Sequence, residues 1–326
     1  SPISTNRWYH IAVTYNGTYT LYVDGIEIDS GGSGLPAVNN DEFMLGAMDQ
    51  NPAGGNPNPV NYYSGWMQEL RIWNTALTLE QVRQMMNQQI HSNGLVQGDI
   101  VPIDVAGLNW SSLRAYYQML QPGAINGGYL ISTYGLGFDG QLRNIETTQD
   151  ETAPLPYVSD IDGIWTDTSD TSPWIYGDSV WDYPNSTGIN GQPIDWNIVV
   201  TNNNITSDDK DITVLGLLIN ANELSIEDPG TALDENNDGQ MLWVTHYLKL
   251  NGKLDLVGES QLVQKRYNSS QFSPSIFDNT SSGIAERDQQ GTTNPFNYNY
   301  WGSPFALNNA TPGLSLIHIS EPTRLR

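Results

Sequence analysis

Residues that favour β-strands alternate with polar ones at a period of two in "RWYHIAVTYNGTYTLYVDGIEI", which begins at Arg7, and that alternation puts successive side chains on opposite faces of a strand. Asn16-Gly17 and Asp24-Gly25 interrupt the pattern where tight turns need left-handed backbone. The stretch reads as two strands around a turn, with Tyr9, Ile11, Val13 and Tyr15 expected to face a core. Such a ribbon is marginal in water without partners, so the rest of the chain must supply or imply them.

The same texture continues. The chain has 326 residues, 31 Gly, 17 Tyr and 10 Trp but only 15% charged residues, which suits an all-β protein better than a helical bundle or an acidic disordered tail. Lys and Arg number 13 against 36 Asp and Glu, a net charge of -23 that repels phosphate backbones and excludes nucleic acid as a partner. There is no Cys, hence no disulfide, thiolate metal site or Cys nucleophile. No apolar run reaches the roughly 18 residues that a membrane-spanning helix requires.

After a Gly/Pro/Asn-rich loop, "YYSGWMQELRIWNTALTLEQVRQMM" reads as a strand and then a short helix. Thr78 and Gln81 have capping-box spacing, and Val82, Met85, Met86 and Ile90 fall on one helical face. The order "W-x-H-I-A-V-T-Y-N-G-T-x-x-L-Y-V-D-G", then "G-W-M-Q-E-L-R-I-W-N-T-A-L-T-x-x-Q", resembles the second half of a laminin-G-like domain of the concanavalin-A type. The resemblance covers roughly residues 1–93 and implies a jelly-roll sandwich of two antiparallel sheets. The family's opening strands would precede Trp8, so it also implies a fragment. Residues 94–160, with "LRAYYQM" and "GLGFDGQLRNI", read as a β-rich connector, as the degenerate start of a second copy, or as the strands that complete the sandwich.

From 161 to 268 the strands "DWNIVVTNNNIT", "DITVLGLLINANELSI" and "MLWVTHYLKLNGKLDLVGESQLV" recur between Asn/Asp/Gly turns with no helix between them. Recurrence of this kind suggests a right-handed parallel β-helix, in which each coil buries its inner face on the next, with a third sandwich as the competing architecture. Leu248, Leu250, Leu254, Leu256 and Leu262 would form the inward stack. Residues 269–313 lose apolar content and read as a polar, aromatic-rich loop or stalk. With "GESQLVQ" before them they resemble segments of large Gram-negative surface proteins exported by a type IX route. "LSLIHISEPTR", within residues 314–326, looks like translated sequencing adapter.

Chemistry-bearing patterns are sparse. Family members with glucanase activity carry Glu-x-Asp-x-x-Glu on one strand, so that one carboxylate attacks while another protonates the leaving oxygen. The similar strand "WMQELRIW" has only Glu69, with Arg71 on the same face, and reads as an exposed ion pair. A lyase needs a basic residue to take the proton and cations for the sugar carboxylate. Lys249 and Lys253 flank Asn251-Gly252 and read as solvating charges, and His10 reads as a satisfied structural histidine. Asp234, Asn236 and Asp238 in "DENNDG" match half of a calcium loop, which makes Ca²⁺ the candidate cation and a plain polar turn the alternative. Trp165, Trp174, Trp181 and Tyr176, among Asp, Ser and Thr, could stack on sugar rings or instead cap the solenoid.

These readings lead to a non-catalytic extracellular adhesin or glycan-binding protein on a bacterial outer surface. Polysaccharide or surface glycoprotein is its expected partner. A polysaccharide-degrading lyase or hydrolase and a structural spacer are the alternatives.

Overall fold

A computed structural model describes residues 3–34, 43–50, 58–119, 125–126, 129–132, 134, 139–143, 152–176, 179–180, 182–230, 239–266 and 275–288. The chain is all-β, with antiparallel sheets of jelly-roll type followed by a parallel solenoid-like region. It divides into two compact units. The first comprises Ser1–Val158, Thr168–Asp170 and Trp174–Ile198, the second Ser159–Asp167, Thr171–Pro173 and Val199–Arg326.

In the first unit, β1 (Ile11–Tyr15), β2 (Tyr19–Val23) and β3 (Ile26–Gly31) form an antiparallel sheet in which Ile11 pairs with Val23 and Tyr22 with Glu27. Short strands β4 (Met48–Asp49) and β5 (Pro59–Val60) pair with each other. β6 (Leu70–Trp73) leads to α1 (Leu79–Met85), whose capping box joins Thr78 and Gln81 reciprocally, as the spacing predicts. Val82, Met85, Met86 and Ile90 are all buried, but the helix ends before Ile90, which opens a new strand. That strand, β7 (Ile90–Asn93), joins β8 (Leu95–Gly98) and β9 (Asp104–Asn109) in an antiparallel sheet.

The expected boundary at residue 93 does not separate two bodies. β10 (Leu113–Tyr117) pairs antiparallel with β6, Tyr116 opposite Arg71, and a single core holds Met85, Ile90, Val96, Val105, Leu108, Leu113 and Tyr116. Residues 113–117 thus share a sheet with β6 and a core with the end of α1 and with β7 to β9. Small strands β11 (Ile125–Asn126), β12 (Tyr129–Leu130), β13 (Gly140–Gln141) and β14 (Tyr157–Val158) follow.

One sequence expectation for the hairpin comes out differently. Ile11 and Val13 are 59% and 64% exposed, because no described element covers that face of β1. The turn at Asp24-Gly25 is instead the buried end. Both residues have left-handed φ, and a Cβ on Gly25 would lie 2.6 Å from Trp196 Nε1. Trp196 Nε1 donates to the Asp24 carbonyl at 2.9 Å, Arg83 Nε donates to the Gly25 carbonyl at 3.0 Å, and the Arg83 guanidinium stacks 3.6 Å above the Trp196 ring.

The second unit starts with β15 (Gly163–Ile164). The intervening strands β16 (Ile175–Tyr176) and β17 (Ser179–Val180) belong to the first unit, although they were expected to lie within the solenoid. One parallel sheet runs through β18 (Ile198–Thr201), β20 (Ile212–Ile219) and β22 (Met241–Leu250), with β24 (Gln261–Gln264) and β25 (Ile276–Phe277) both on β22. The other runs β15, β19 (Ile205–Thr206), β21 (Glu223–Ile226), β23 (Lys253–Leu256) and β26 (Ile284–Arg287). The chain alternates between the two sheets coil by coil, and between β23 and β26 it places both β24 and β25 on β22. Glu223 pairs with Lys253 and Lys253 with Ile284, so residues expected to form a loop or stalk add a further rung.

Leu248, Leu250, Leu254 and Leu256 are buried as the inward stack predicts, and Leu262, nearer the end of the sheet, is half-buried. Lys253 is not a free solvating charge. Its Nζ lies 2.7 Å from Glu286, 3.0 Å from Glu223 and 3.1 Å from Asp255, bridging three strands on the outer face. Hydrogen bonds to those carboxylates, Glu286 first, raise its pKa.

Candidate functional site

Of the aromatic residues singled out by sequence, Trp165 and Trp174 are 0% exposed. A sugar stacks only on an accessible ring face, so neither can serve as a platform. Trp165 follows β15, the first rung, and its backbone N–H donates to the Thr206 carbonyl at 2.8 Å. The Tyr176 side chain and all of Trp181 lie outside the described residues, as do Asp234, Asn236 and Asp238. Among the described residues no group of three or more His, Asp and Glu could hold a metal ion. Gly239, which closes the proposed calcium loop, packs against the next coil: a Cβ there would meet the Glu259 carbonyl carbon at 2.2 Å.

The strand that resembles the glucanase catalytic strand carries a locked carboxylate. Glu69 and Arg71 pair at 2.6 Å with side chains only 9% and 8% exposed, so the pair is buried, not exposed as expected. Glu69 also accepts from the Tyr116 hydroxyl and, at 3.3 Å, from Gln89 Nε2. Burial, with the neighbouring Glu69 adding to it, pushes the Tyr116 phenol up to about 12, which keeps that donor protonated. Arg71 Nη1 and Nη2 donate to the Met85 and Gln88 carbonyls at 2.9 and 2.7 Å, tying β6 to the end of α1. A carboxylate held by a cation and two further donors is neither a free nucleophile nor an acid. His10 is neutral, its pKa lowered to about 4 by burial and then by Arg71, but its Nδ1 is buried without a partner, contrary to the satisfied histidine expected.

A second buried carboxylate lies at the hairpin turn. Asp24 Oδ1 accepts the His10 N–H at 2.8 Å, and Oδ2 is 3.4 Å from Arg7, whose Nε pairs with Asp182 at 2.8 Å. Desolvation outweighs these contacts and lifts the Asp24 pKa from the usual 3.8 to about 6. Burial alone would lower the Arg7 pKa, and Asp182 and Asp24 together raise it above the ordinary value. The folded chain therefore keeps a proton on Asp24 that the unfolded chain releases. Its contribution to stability is full below about pH 4 and is lost as pH rises through about 6, amounting to about 3 kcal/mol. Asp24→Asn should flatten that descent in urea unfolding midpoints measured from pH 4 to pH 7, and an unchanged profile would contradict the assignment.

The exposed chemistry lies elsewhere in the first unit, on the segments that flank β4 and β5. Phe43 (74%), Tyr62 (58%), Tyr63 (56%) and Trp66 (39%) present ring surface to solvent beside exposed Leu45 and Met48. Backbone bonds hold them together: the Tyr63 N–H donates to the Gly46 carbonyl at 2.7 Å and the Gln50 N–H to the Asn58 carbonyl at 3.0 Å. The Tyr63 hydroxyl donates to the Trp66 carbonyl at 3.4 Å, its ring lying over Gly65, where a Cβ would come within 2.5 Å of that oxygen. Left-handed φ at Gly46 and Asn61 turns the two arms toward each other. Aromatic faces with polar rims form the kind of surface on which sugar rings stack and hydroxyls find partners. Exposed apolar groups gathered in this way make this a candidate binding surface. Sequence reasoning missed this surface, although the tandem Tyr62-Tyr63 beside a Gly/Pro/Asn-rich loop was its signal.

The family model described as the Concanavalin A-like lectin/glucanases superfamily, of laminin G type, matches residues 1–83. The mouse sushi, von Willebrand factor type A, EGF and pentraxin domain-containing protein 1 is 30% identical over 87 residues, which are 25% of this chain and 2% of that protein. C-reactive protein 1.1 of Limulus polyphemus is 25% identical over 108 residues, covering 31% of this chain and 45% of that one. The crystal structure of an S-layer domain-containing protein from Clostridium thermocellum shares 26% identity over 25% of this chain and 40% of its own, at a TM-score of 0.22, too low to bear on the fold. The chain spans less than half the length of each of these relatives, and its first 83 residues are what match the concanavalin A-like superfamily.

Proposed function

We propose that this chain is part of a non-catalytic, extracellular surface protein whose laminin-G-like unit binds polysaccharide or the glycan of a surface glycoprotein. The observation that carries the reading is the aromatic surface of Tyr62, Tyr63 and Trp66, which is exposed although large aromatic side chains carry much of the apolar area that cores and interfaces bury. The match of residues 1–83 to a superfamily named for lectins and glucanases supports the ligand class. The locked state of Glu69 supports binding over hydrolysis, because retaining or inverting hydrolysis takes two carboxyl groups with separate protonation states. Display on a bacterial outer surface by a type IX route belongs to the same proposal and rests on sequence resemblance alone.

Affinity electrophoresis through a panel of soluble plant and marine polysaccharides tests the binding. At least one should retard the protein, and the double variant Tyr62→Ala, Trp66→Ala should weaken retention by about ten- to a hundredfold, as expected for the loss of two stacking contacts. Retention unchanged in that variant would move the site elsewhere. Release of reducing ends that Glu69→Gln abolishes would replace binding with hydrolysis.

A further inference from the structure

The aromatic surface beside β4 and β5 lies in the middle of a long stretch without a basic side chain. Between Arg7 and Arg71 the sequence holds acidic residues, Asp49 among them, and not one Lys or Arg. The first unit as a whole has no lysine, and its arginines are Arg7, Arg71, Arg83, Arg114 and Arg143. Each of these is placed elsewhere. Arg7 pairs with Asp24 and Asp182, and Arg71 with Glu69 and two carbonyls at the end of α1. Arg83 lies over Trp196, and Arg143 Nη2 donates to Gln141 Oε1 at 3.0 Å. Arg114 stands on β10 beside the Ile72–Trp73 end of β6, the end away from Trp66.

The rim of the surface carries amides and a carboxylate instead. Gln50, Asn58, Asn61 and Ser64 are exposed, and Asp49 is half-buried. Asp49 Oδ1 accepts the Asn58 N–H at 3.0 Å, Asn58 Nδ2 donates to Gln50 Oε1 at 3.2 Å, and Asn61 Nδ2 donates to Met48 Sδ at 3.7 Å. Beyond those bonds each amide keeps an N–H and a lone pair, so it both gives and takes, as a sugar hydroxyl does. A carboxylate or sulfate ester only accepts, and its strongest partners are Arg and Lys, whose charge-assisted bonds are about twice as strong as neutral ones. At this rim it would meet the Asp49 carboxylate, in a chain of net charge -23.

We propose that the glycan taken by this surface is an uncharged polysaccharide, with no uronate or sulfate ester. Its ring faces stack on Tyr62, Tyr63 and Trp66 while its hydroxyls pair with the amides of Gln50, Asn58 and Asn61. This deepens the reading of the surface as a glycan site and rests on it. Stacking accepts any sugar face, because acidic substituents project from the ring edge. Discrimination between neutral and acidic glycans therefore falls to the rim, where like charge turns the acidic ones away.

Polymers matched in backbone separate charge from shape. Hydroxyethyl cellulose and carboxymethyl cellulose form one pair, guar galactomannan and its C6-oxidised, carboxylate-bearing form another, with mixed-linkage β-glucan, pectate and alginate completing the set. In affinity electrophoresis of the full chain, at least one neutral polymer should retard the protein about tenfold or more strongly than its charged counterpart. Tyr62→Ala with Trp66→Ala should remove most of that retention. Isothermal titration of the neutral polymer at about 0.05 M and about 0.5 M sodium chloride should give affinities within about twofold, since no ion pair is there to be screened. The same preference should hold in EDTA and in calcium chloride. A charged polymer that binds at least as tightly as its neutral counterpart through the same two rings, with or without calcium, overturns this inference and leaves glycan binding at the surface standing. Indifference to every polymer overturns both. Retention that the double variant leaves unchanged places the site elsewhere and removes the rim from it.

Discussion

Arg71→Met is expected to destabilise the first unit by about 3–5 kcal/mol, the usual cost of removing one partner from a buried ion pair. The methionine would fill much of the arginine's volume, so the loss isolates the polar contacts. Glu69, at 9% side-chain exposure, would be left with only Tyr116 and Gln89 as donors, and the Met85 and Gln88 carbonyls would lose their donor at the end of α1. Glu69→Gln should cost less, because the amide oxygen still accepts from Tyr116 and no bare charge remains. Urea unfolding followed by intrinsic fluorescence distinguishes the two. If Arg71→Met were no more harmful than Glu69→Gln, the guanidinium would not be the element that joins β6 to the helix.

Gly283→Ala is expected to cost the solenoid about 3 kcal/mol, at the upper end of the range for overpacking. Consecutive coils turn the same corner at Asn222, Gly252 and Gly283, and hydrogen bonds run from coil to coil through it. Gly252 and Lys253 N–H groups donate to Ile219 and Asn222 carbonyls, both at 2.8 Å, and Gly283 and Ile284 N–H groups donate to Leu250 and Gly252 carbonyls at 2.9 and 3.0 Å. A Cβ at Gly283 would lie 2.1 Å from the Gly252 carbonyl oxygen, so the coil must lift and those bonds must lengthen. Gly31→Ala, where a Cβ meets nothing within 4 Å, provides the comparison and should change stability little. A Gly283→Ala protein as stable as Gly31→Ala would mean that the corner does not hold the coils in register.

The legible parts of the fold were those set by local pattern. The capping box at Thr78 and Gln81, the turn at Asp24-Gly25 and the inward leucines of β22 and β23 all appear where spacing placed them. Contacts between residues far apart in the chain were not legible. Nothing in "LRAYYQM" specifies that Tyr116 lies opposite Arg71, and that pairing is what accompanies the hydrogen bond from the Tyr116 hydroxyl to Glu69. Trp196 gave no sign that it would cover a turn near residue 24, nor Lys253 that it would bridge Glu223 and Glu286 from the coils on either side. The candidate sites divide in the same way: Trp165 and Trp174 were chosen for composition and are buried, whereas Tyr62, Tyr63 and Trp66 stayed inconspicuous until their exposure was seen.

By itself the sequence determined the class of architecture, because period-two alternation, Gly and Asn turns and recurring apolar strands are properties of neighbouring residues. It also determined what the chain cannot use, since 36 acids against 13 bases and no cysteine hold in any fold. Only the tertiary structure decided which aromatic faces meet solvent, which carboxylate is spent in an ion pair and where a buried histidine nitrogen is left without a partner. Those outcomes depend on desolvation and on partners brought together across many residues, and neither is a function of distance along the chain.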